Sequence, residues 1–100
     1  MHPMIEVKQA EIQALCRQLG VLRLDVFGSA VAGEFDVVHS DVDVLVEVAP
    51  SYLTLDNYFA LRAGLQRILD RPVDVVDAGA IRNPYFKAEV MTTRELVYAA

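Results

Sequence analysis

The sequence predicts a small α/β (α+β) layer fold, a mixed β-sheet backed by helices. Three observations predict it. Residues 5–19 and 55–69 carry apolar side chains at helical spacing. Residues 21–27, 41–48 and 73–76 alternate or run apolar as strands do. The two kinds of segment interleave along 100 residues, which is the length of one domain, 1–100, with no linker or repeat inside it.

In the first helix, 5–19, Ile5, Ile12, Leu15, Cys16 and Leu19 share a face, and Gly20 is the stop. The strand 21–27 follows. Leu22, Leu24 and Val26 are expected to face the core, with Val21, Arg23, Asp25 and Phe27 on the other side. Gly28-Ser29 ends that strand, Ala30 to Ala32 can form one turn capped by Ser29, and 33–40 reads as loop. In 41–48, Val42, Val44, Val46 and Val48 oppose Asp41, Asp43, Leu45 and Glu47. Ala49-Pro50-Ser51 breaks the strand. The helix over 55–69 puts Tyr58, Leu61, Leu65 and Ile68 on its packing face, and Phe59 is read as packing too. Asp70-Arg71-Pro72 turns the chain into the strand 73–76. Asn83-Pro84 is a helix start, asparagine as cap and proline at the first helical position, for a helix of roughly 84–92. The short apolar stretch 94–98 is assigned to an edge strand.

Composition narrows the function. Hydrophobic residues are 54% and charged residues 23%, too apolar and too evenly charged for a disordered chain. Nine Lys and Arg against 14 Asp and Glu give a net charge of −5, which argues against direct nucleic-acid binding through a basic patch. No apolar run approaches the ~18 residues of a membrane span, and no signal peptide is visible, so no membrane role is expected. Cys16 is the single cysteine; it permits no internal disulfide and suits a cytoplasmic protein. It is read as core. His2 is read as a loose terminal residue and His39 as a solvated loop residue. Asp25, Glu34, Asp36, Asp56 and Asp70 are read as surface charge.

Chemistry concentrates in three acids. Asp41 and Asp43 lie two apart on a strand, so they share a face with Cα atoms ~6.6 Å apart. The valines opposite them fix the register, because a slip of one residue would bury both carboxylates. Asp74 sits in the apolar run Val73-Asp74-Val75-Val76, where an acid is out of place. Close carboxylates without a cation repel by up to ~4 kcal/mol at an effective dielectric of 20. Hard cations such as Mg²⁺ answer that need. Each piece alone is commonplace: a solvated Asp-x-Asp face, an acid paired with a base, a Gly-Ser turn. Their order and spacing are not.

Phe27-Gly28-Ser29, Gly33, Ser40-Asp41-Val42-Asp43-Val44-Leu45-Val46 and Val73-Asp74-Val75-Val76 together resemble the minimal nucleotidyltransferases of the DNA-polymerase-β-like superfamily. Arg82-Asn83-Pro84-Tyr85-Phe86 and Glu95-Leu96-Val97-Tyr98 also look like that family's closing segments, so the resemblance runs from about residue 5 to 98. The resemblance implies the polymerase-β-like nucleotidyltransferase fold. It implies that Asp41, Asp43 and Asp74 are catalytic and hold two Mg²⁺, and that Gly28, Ser29 and Ser40 bind the nucleotide. Relatives of this size resemble the antitoxin of a toxin–antitoxin pair, whose partner is a HEPN-type toxin on a separate chain. The implied activity is transfer of AMP from ATP to a tyrosine of that toxin, in a hetero-oligomer. One departure bears on activity: Ala32 stands where the family usually has arginine, and the loop to Asp41 is one residue longer than usual. Loss of a guanidinium should weaken the hold on phosphate. The other functions weighed are an antitoxin that acts by contact alone and a free-standing transferase for a small acceptor.

Overall fold

The computed structural model describes residues 2–28 and 41–100. The turn at Ala30–Ala32, the loop that includes Gly33, Glu34, Asp36 and His39, and the predicted nucleotide ligands Ser29 and Ser40 lie outside the described residues.

The described elements are α1 (Pro3–Glu6), α2 (Gln9–Gln18), β1 (Val21–Phe27), β2 (Val42–Val48), α3 (Leu55–Leu69), β3 (Val73–Asp77), α4 (Pro84–Thr93) and β4 (Glu95–Ala99), with short 3-10 turns at Pro50–Tyr52 and Ala78–Ala80. The strands form a mixed sheet in the order β3-β2-β1-β4, so the fold is α+β as read from the sequence. β1 pairs antiparallel with both β2 and β4, while β2 and β3 run parallel. The edge strand expected at 94–98 is β4, one residue further on, and Arg94 ends α4 instead.

Helices lie on both faces of the sheet. On the front, Ile5, Ile12, Cys16, Leu61, Leu65 and Leu69 bury themselves against Leu24, Val26, Val42, Val44, Val46, Val73 and Val75. Burial pushes the Cys16 thiol up to about 12, so it is an inert core residue at neutral pH, as read. Gln9 and Gln13 each donate through Nε2 to the Val97 carbonyl at 3.0 Å, fastening α2 to β4. On the back, α4 covers part of the sheet and Val90 packs with Phe27 and Leu45. Asn83 caps α4 by accepting from the amides of Tyr85 and Phe86 at 2.9 and 3.2 Å, as its sequence signature predicts. Thr54 caps α3 in the same way, accepting from the Asn57 amide at 3.1 Å.

Several expectations are corrected. The predicted helix 5–19 begins at Pro3 and is broken at Val7–Lys8. There the Lys8 amide donates to the Ile5 carbonyl, a three-residue step that tightens the turn and ends α1, while Ile5 and Ile12 both stay buried. His2 is not loose, because its Nδ1 accepts from the Met4 amide at 3.1 Å and caps α1. In β1, Leu24 and Val26 face the front core as predicted, but Leu22 is exposed and Val21 is buried. A β-bulge between Val21 and Arg23 inserts one residue and exchanges the faces of the first two positions. Tyr58 and Phe59 do not pack into the core. They are exposed and meet each other edge-on, with ring centroids 5.4 Å apart.

The largest correction is Asp25. It is not surface charge but 1% exposed. It lies on the back face between Leu45 of β2 and Leu96 of β4, with the Arg23 and Arg94 guanidiniums at its carboxylate. Its carboxylate accepts from Arg23 Nε at 2.9 Å and Nη2 at 3.2 Å, and Arg94 Nη1 stands 3.6 Å away. The carboxylate in turn raises the Arg23 guanidinium further above its ordinary value, first through the hydrogen bond and then through its charge. Two cations therefore satisfy one buried anion.

Candidate active site

The site is built on the back face, at the end where β1 leaves the sheet and β2 and β3 enter it. Each strand contributes through its period of two. Alternation on β2 sends Val42, Val44 and Val46 to the front core and leaves Asp43 and Leu45 on the back. Parallel register then sets Asp43 directly beside Asp74, and Val44 beside Val75. The Val42 amide donates to the Pro72 carbonyl at 3.1 Å, fixing the entry of β2 against the turn that leads into β3. On the other side of β2, antiparallel register sets Phe27 beside Asp43. Gly28 follows at once.

Gly28 has φ +74, a conformation that L side chains rarely adopt. A Cβ there would stand 2.7 Å from Asp43 Oδ2, inside contact distance, so the missing side chain is what lets the turn lie against the carboxylate. Gly28→Ala is expected to cost ~1–2 kcal/mol from backbone strain alone and to displace Asp43 as well. A thermal melt should fall by roughly 5–10 °C. Unchanged melting would mean that the turn relaxes away from the acid at no cost.

Electrostatics gather the acids further. The Asp43 carboxyl is held above its usual range, first by burial, then by the charge of Asp74, then by that of Asp41. Asp41 and Asp74 themselves are exposed. Among the described residues, no three His, Cys, Asp or Glu side chains are drawn into a closed metal cage. The three acids are within electrostatic reach of one another without converging on a point. Their chemistry nonetheless fits Mg²⁺, which takes hard carboxylate oxygens and completes its shell with water and phosphate. The predicted site residues Gly28, Asp41, Asp43 and Asp74 are thus brought to one end of one face. Glu47, on the same face further along β2, lies exposed beside Arg23 and away from them.

From the sequence, Phe86 just after the Asn-Pro cap is left either to pack on the sheet or to meet a partner, and the structure shows the first. Phe86 of α4 sets its ring edge-on against Phe27, with centroids 6.1 Å apart and planes at 73°. Beyond β3 a cleft opens between that strand and the start of α4. The usable signal was the Asn-Pro cap, which fixes where Phe86 falls in the first turn of α4.

The structure thus sets an acidic pair in register on adjacent parallel strands, with a glycine turn against one of its members. The chain belongs to the nucleotidyltransferase domain family, whose model matches residues 11–97. It is 38% identical over 80 residues to a chain of Methanocaldococcus jannaschii named for protein adenylyltransferase activity, covering 78% of this chain and 76% of that one. It is also 33% identical over 85 residues to elongation factor 4 of Lactobacillus helveticus; the match takes in 82% of this chain but spans only 12% of the length of that relative. Among solved structures, one named as a minimal nucleotidyltransferase superposes with a TM-score of 0.80 at 27% identity, over 95% of each chain. A Shewanella oneidensis complex of a tri-AMPylated HEPN toxin with an MNT antitoxin matches with a TM-score of 0.68 at 23% identity, over 95% of this chain and 72% of that one. That last likeness is one of fold.

Proposed function

We propose that this chain is a Mg²⁺-dependent protein adenylyltransferase that acts as an antitoxin, moving AMP from ATP to a tyrosine of a HEPN-type partner toxin in the cytoplasm. The observation that carries the reading is the Asp43–Asp74 register pair with Gly28 against Asp43. The adenylyltransferase name of the Methanocaldococcus relative and the AMPylated toxin in the Shewanella complex support the substrate and partner.

Two Mg²⁺ held by Asp41, Asp43 and Asp74 would neutralise phosphate charge and favour ionisation of the acceptor hydroxyl. The protein's own part is orientation. The turn after Phe27 exposes backbone at Gly28, and with Ser29 and Ser40 it is assigned to the triphosphate. Asp74 takes the proton of the tyrosine hydroxyl. The tyrosine oxygen then bonds to the α-phosphorus, the bond from that phosphorus to the bridging oxygen breaks, and pyrophosphate leaves. Among the described residues no helix is long and apolar enough to cross a membrane.

A second reading rests on Ala32, where the resembled family usually carries arginine: the chain neutralises its toxin by contact alone. The two are separated by incubating the chain with ATP, Mg²⁺ and the protein encoded by the adjacent gene, then weighing that protein by mass spectrometry. A gain of one AMP or more is expected. A partner that stays unmodified yet is bound and silenced would overturn the enzymatic reading.

A further inference from the structure

We infer that the cleft between β3 and the start of α4 seats the aromatic side chain that accepts the nucleotide; this rests on the proposed AMP transfer to tyrosine. The back face presents Gly28 at the end of β1, Asp43 on β2 and Asp74 on β3, in that spatial order. In-line displacement requires the attacking oxygen and the leaving pyrophosphate to lie on opposite sides of the phosphorus. A triphosphate spread over Gly28 leaves the β3 side for the acceptor. The cleft lies on that side. Its lining includes Val76, which shares the back face with Asp74 two residues, ~6.6 Å, along the strand.

The lining suits a planar ring. The cleft measures about 400 Å³, with Val76, Ile81 and Phe86 supplying apolar and aromatic surface. Phe27 meets the Phe86 ring edge-on, and that contact favours the orientation in which Phe86 lines the cleft. Arg82 and Asn83 stand beside it. Arg82 Nη1 is held by the Gly79 carbonyl at 2.9 Å, and the Asn83 Oδ1 is engaged as the α4 cap. What remains to them is donor capacity, which suits the carbonyls of a polypeptide carrying the ring. Asp77, also in the lining, opposes a phosphate there. A phenol with apolar faces and a hydroxyl at its far end matches these walls and can extend towards Asp74.

The test uses the whole ¹⁵N-labelled chain and N-acetyl-tyrosinamide as probe. The amides of Val76, Ile81, Arg82 and Phe86 are expected to shift, and the shifts should persist when Mg²⁺ and a non-hydrolysable ATP analogue saturate the protein. No shift at these amides, or loss of the shift on adding the nucleotide, overturns the assignment, the latter because the cleft would then hold the base. The half-buried Ile81 gives a second arm. Ile81→Arg should raise the KM for the partner toxin at least ~tenfold and leave the KM for ATP within about twofold. An equal rise in both, or in neither, counts against the cleft. A wild-type chain that binds the probe here but never modifies the toxin would sink the transferase reading and leave the aromatic site standing. Modification without probe binding would sink the site alone.

Discussion

Asp25→Ala should be the most damaging single substitution outside the apolar core, lowering stability by about 3 kcal/mol. Asp25 is 1% exposed and meets two guanidiniums. Removing it leaves the Arg23 and Arg94 guanidiniums without the anion they share. Arg94 is the residue between α4 and β4, so losing its anion also loosens the strap that carries Val90 onto Phe27 and Leu45. The expected fall in Tm is roughly 10–20 °C for a chain of this size. Asp25→Asn should fall less, because an amide oxygen still accepts from Arg23. A melt within about 2 °C of the wild type would show that both arginines turn out to water and that the anion contributes little.

The second large effect is on function, and its sign on stability is opposite. The double variant Asp41→Asn, Asp43→Asn should reduce AMP transfer at least ~10²-fold, since it removes the carboxylates assigned to the metals. The same change should stabilise the fold. The Asp43 carboxyl is raised above 3.8 by burial, Asp74 and Asp41, so the folded state binds its proton more tightly than the unfolded state does. Stability contributed by that proton is present at low pH and is lost as pH rises from the ordinary carboxylate value through the raised one. At pH 7.5 wild-type Asp43 is therefore charged at a cost, and the variant should melt a few degrees higher. Near pH 4 the gap should narrow. A variant that transfers AMP normally would remove Asp41 and Asp43 from the mechanism. One that still silences the toxin without modifying it would favour neutralisation by contact.

What the sequence made legible is what local physics encodes. The ends of β1 and α3, the Asn83-Pro84 start of α4 and the shared face of Asp41 and Asp43 all follow from caps, breakers and a period of two. The pairing of Asp43 with Asp74 was anticipated only as a set of acids; the parallel register that joins them depends on β3 crossing back beside β2. Asp25 was illegible for a related reason. Its alternation marked it correctly as facing away from the valine side, but whether its carboxylate meets water depends on Arg94 and the segment around it, about seventy residues further on. The bulge at Val21 and Arg23 and the break at Val7–Lys8 are single-residue adjustments that satisfy burial on both sides of a turn, and periodicity averages over them. Tyr58 shares a face of α3 with Leu61 and Leu65, yet it falls a turn ahead of the part of the helix that the core covers, and Phe59 lies off that face altogether.

The strand order has a consequence for how the chain acquires its shape. β1 sits between β2 and β4, so one of its hydrogen-bonding edges is closed by a segment some seventy residues later. Such distant pairing carries a high loop-closure entropy and slows folding. While the polypeptide is being synthesised, β1 holds an open edge and Asp25 lacks Arg94 until residues 94–99 have left the ribosome. Nascent molecules thus pass through a stage with a free strand edge, which invites association with other chains. Closure of the second edge of β1 waits for β4.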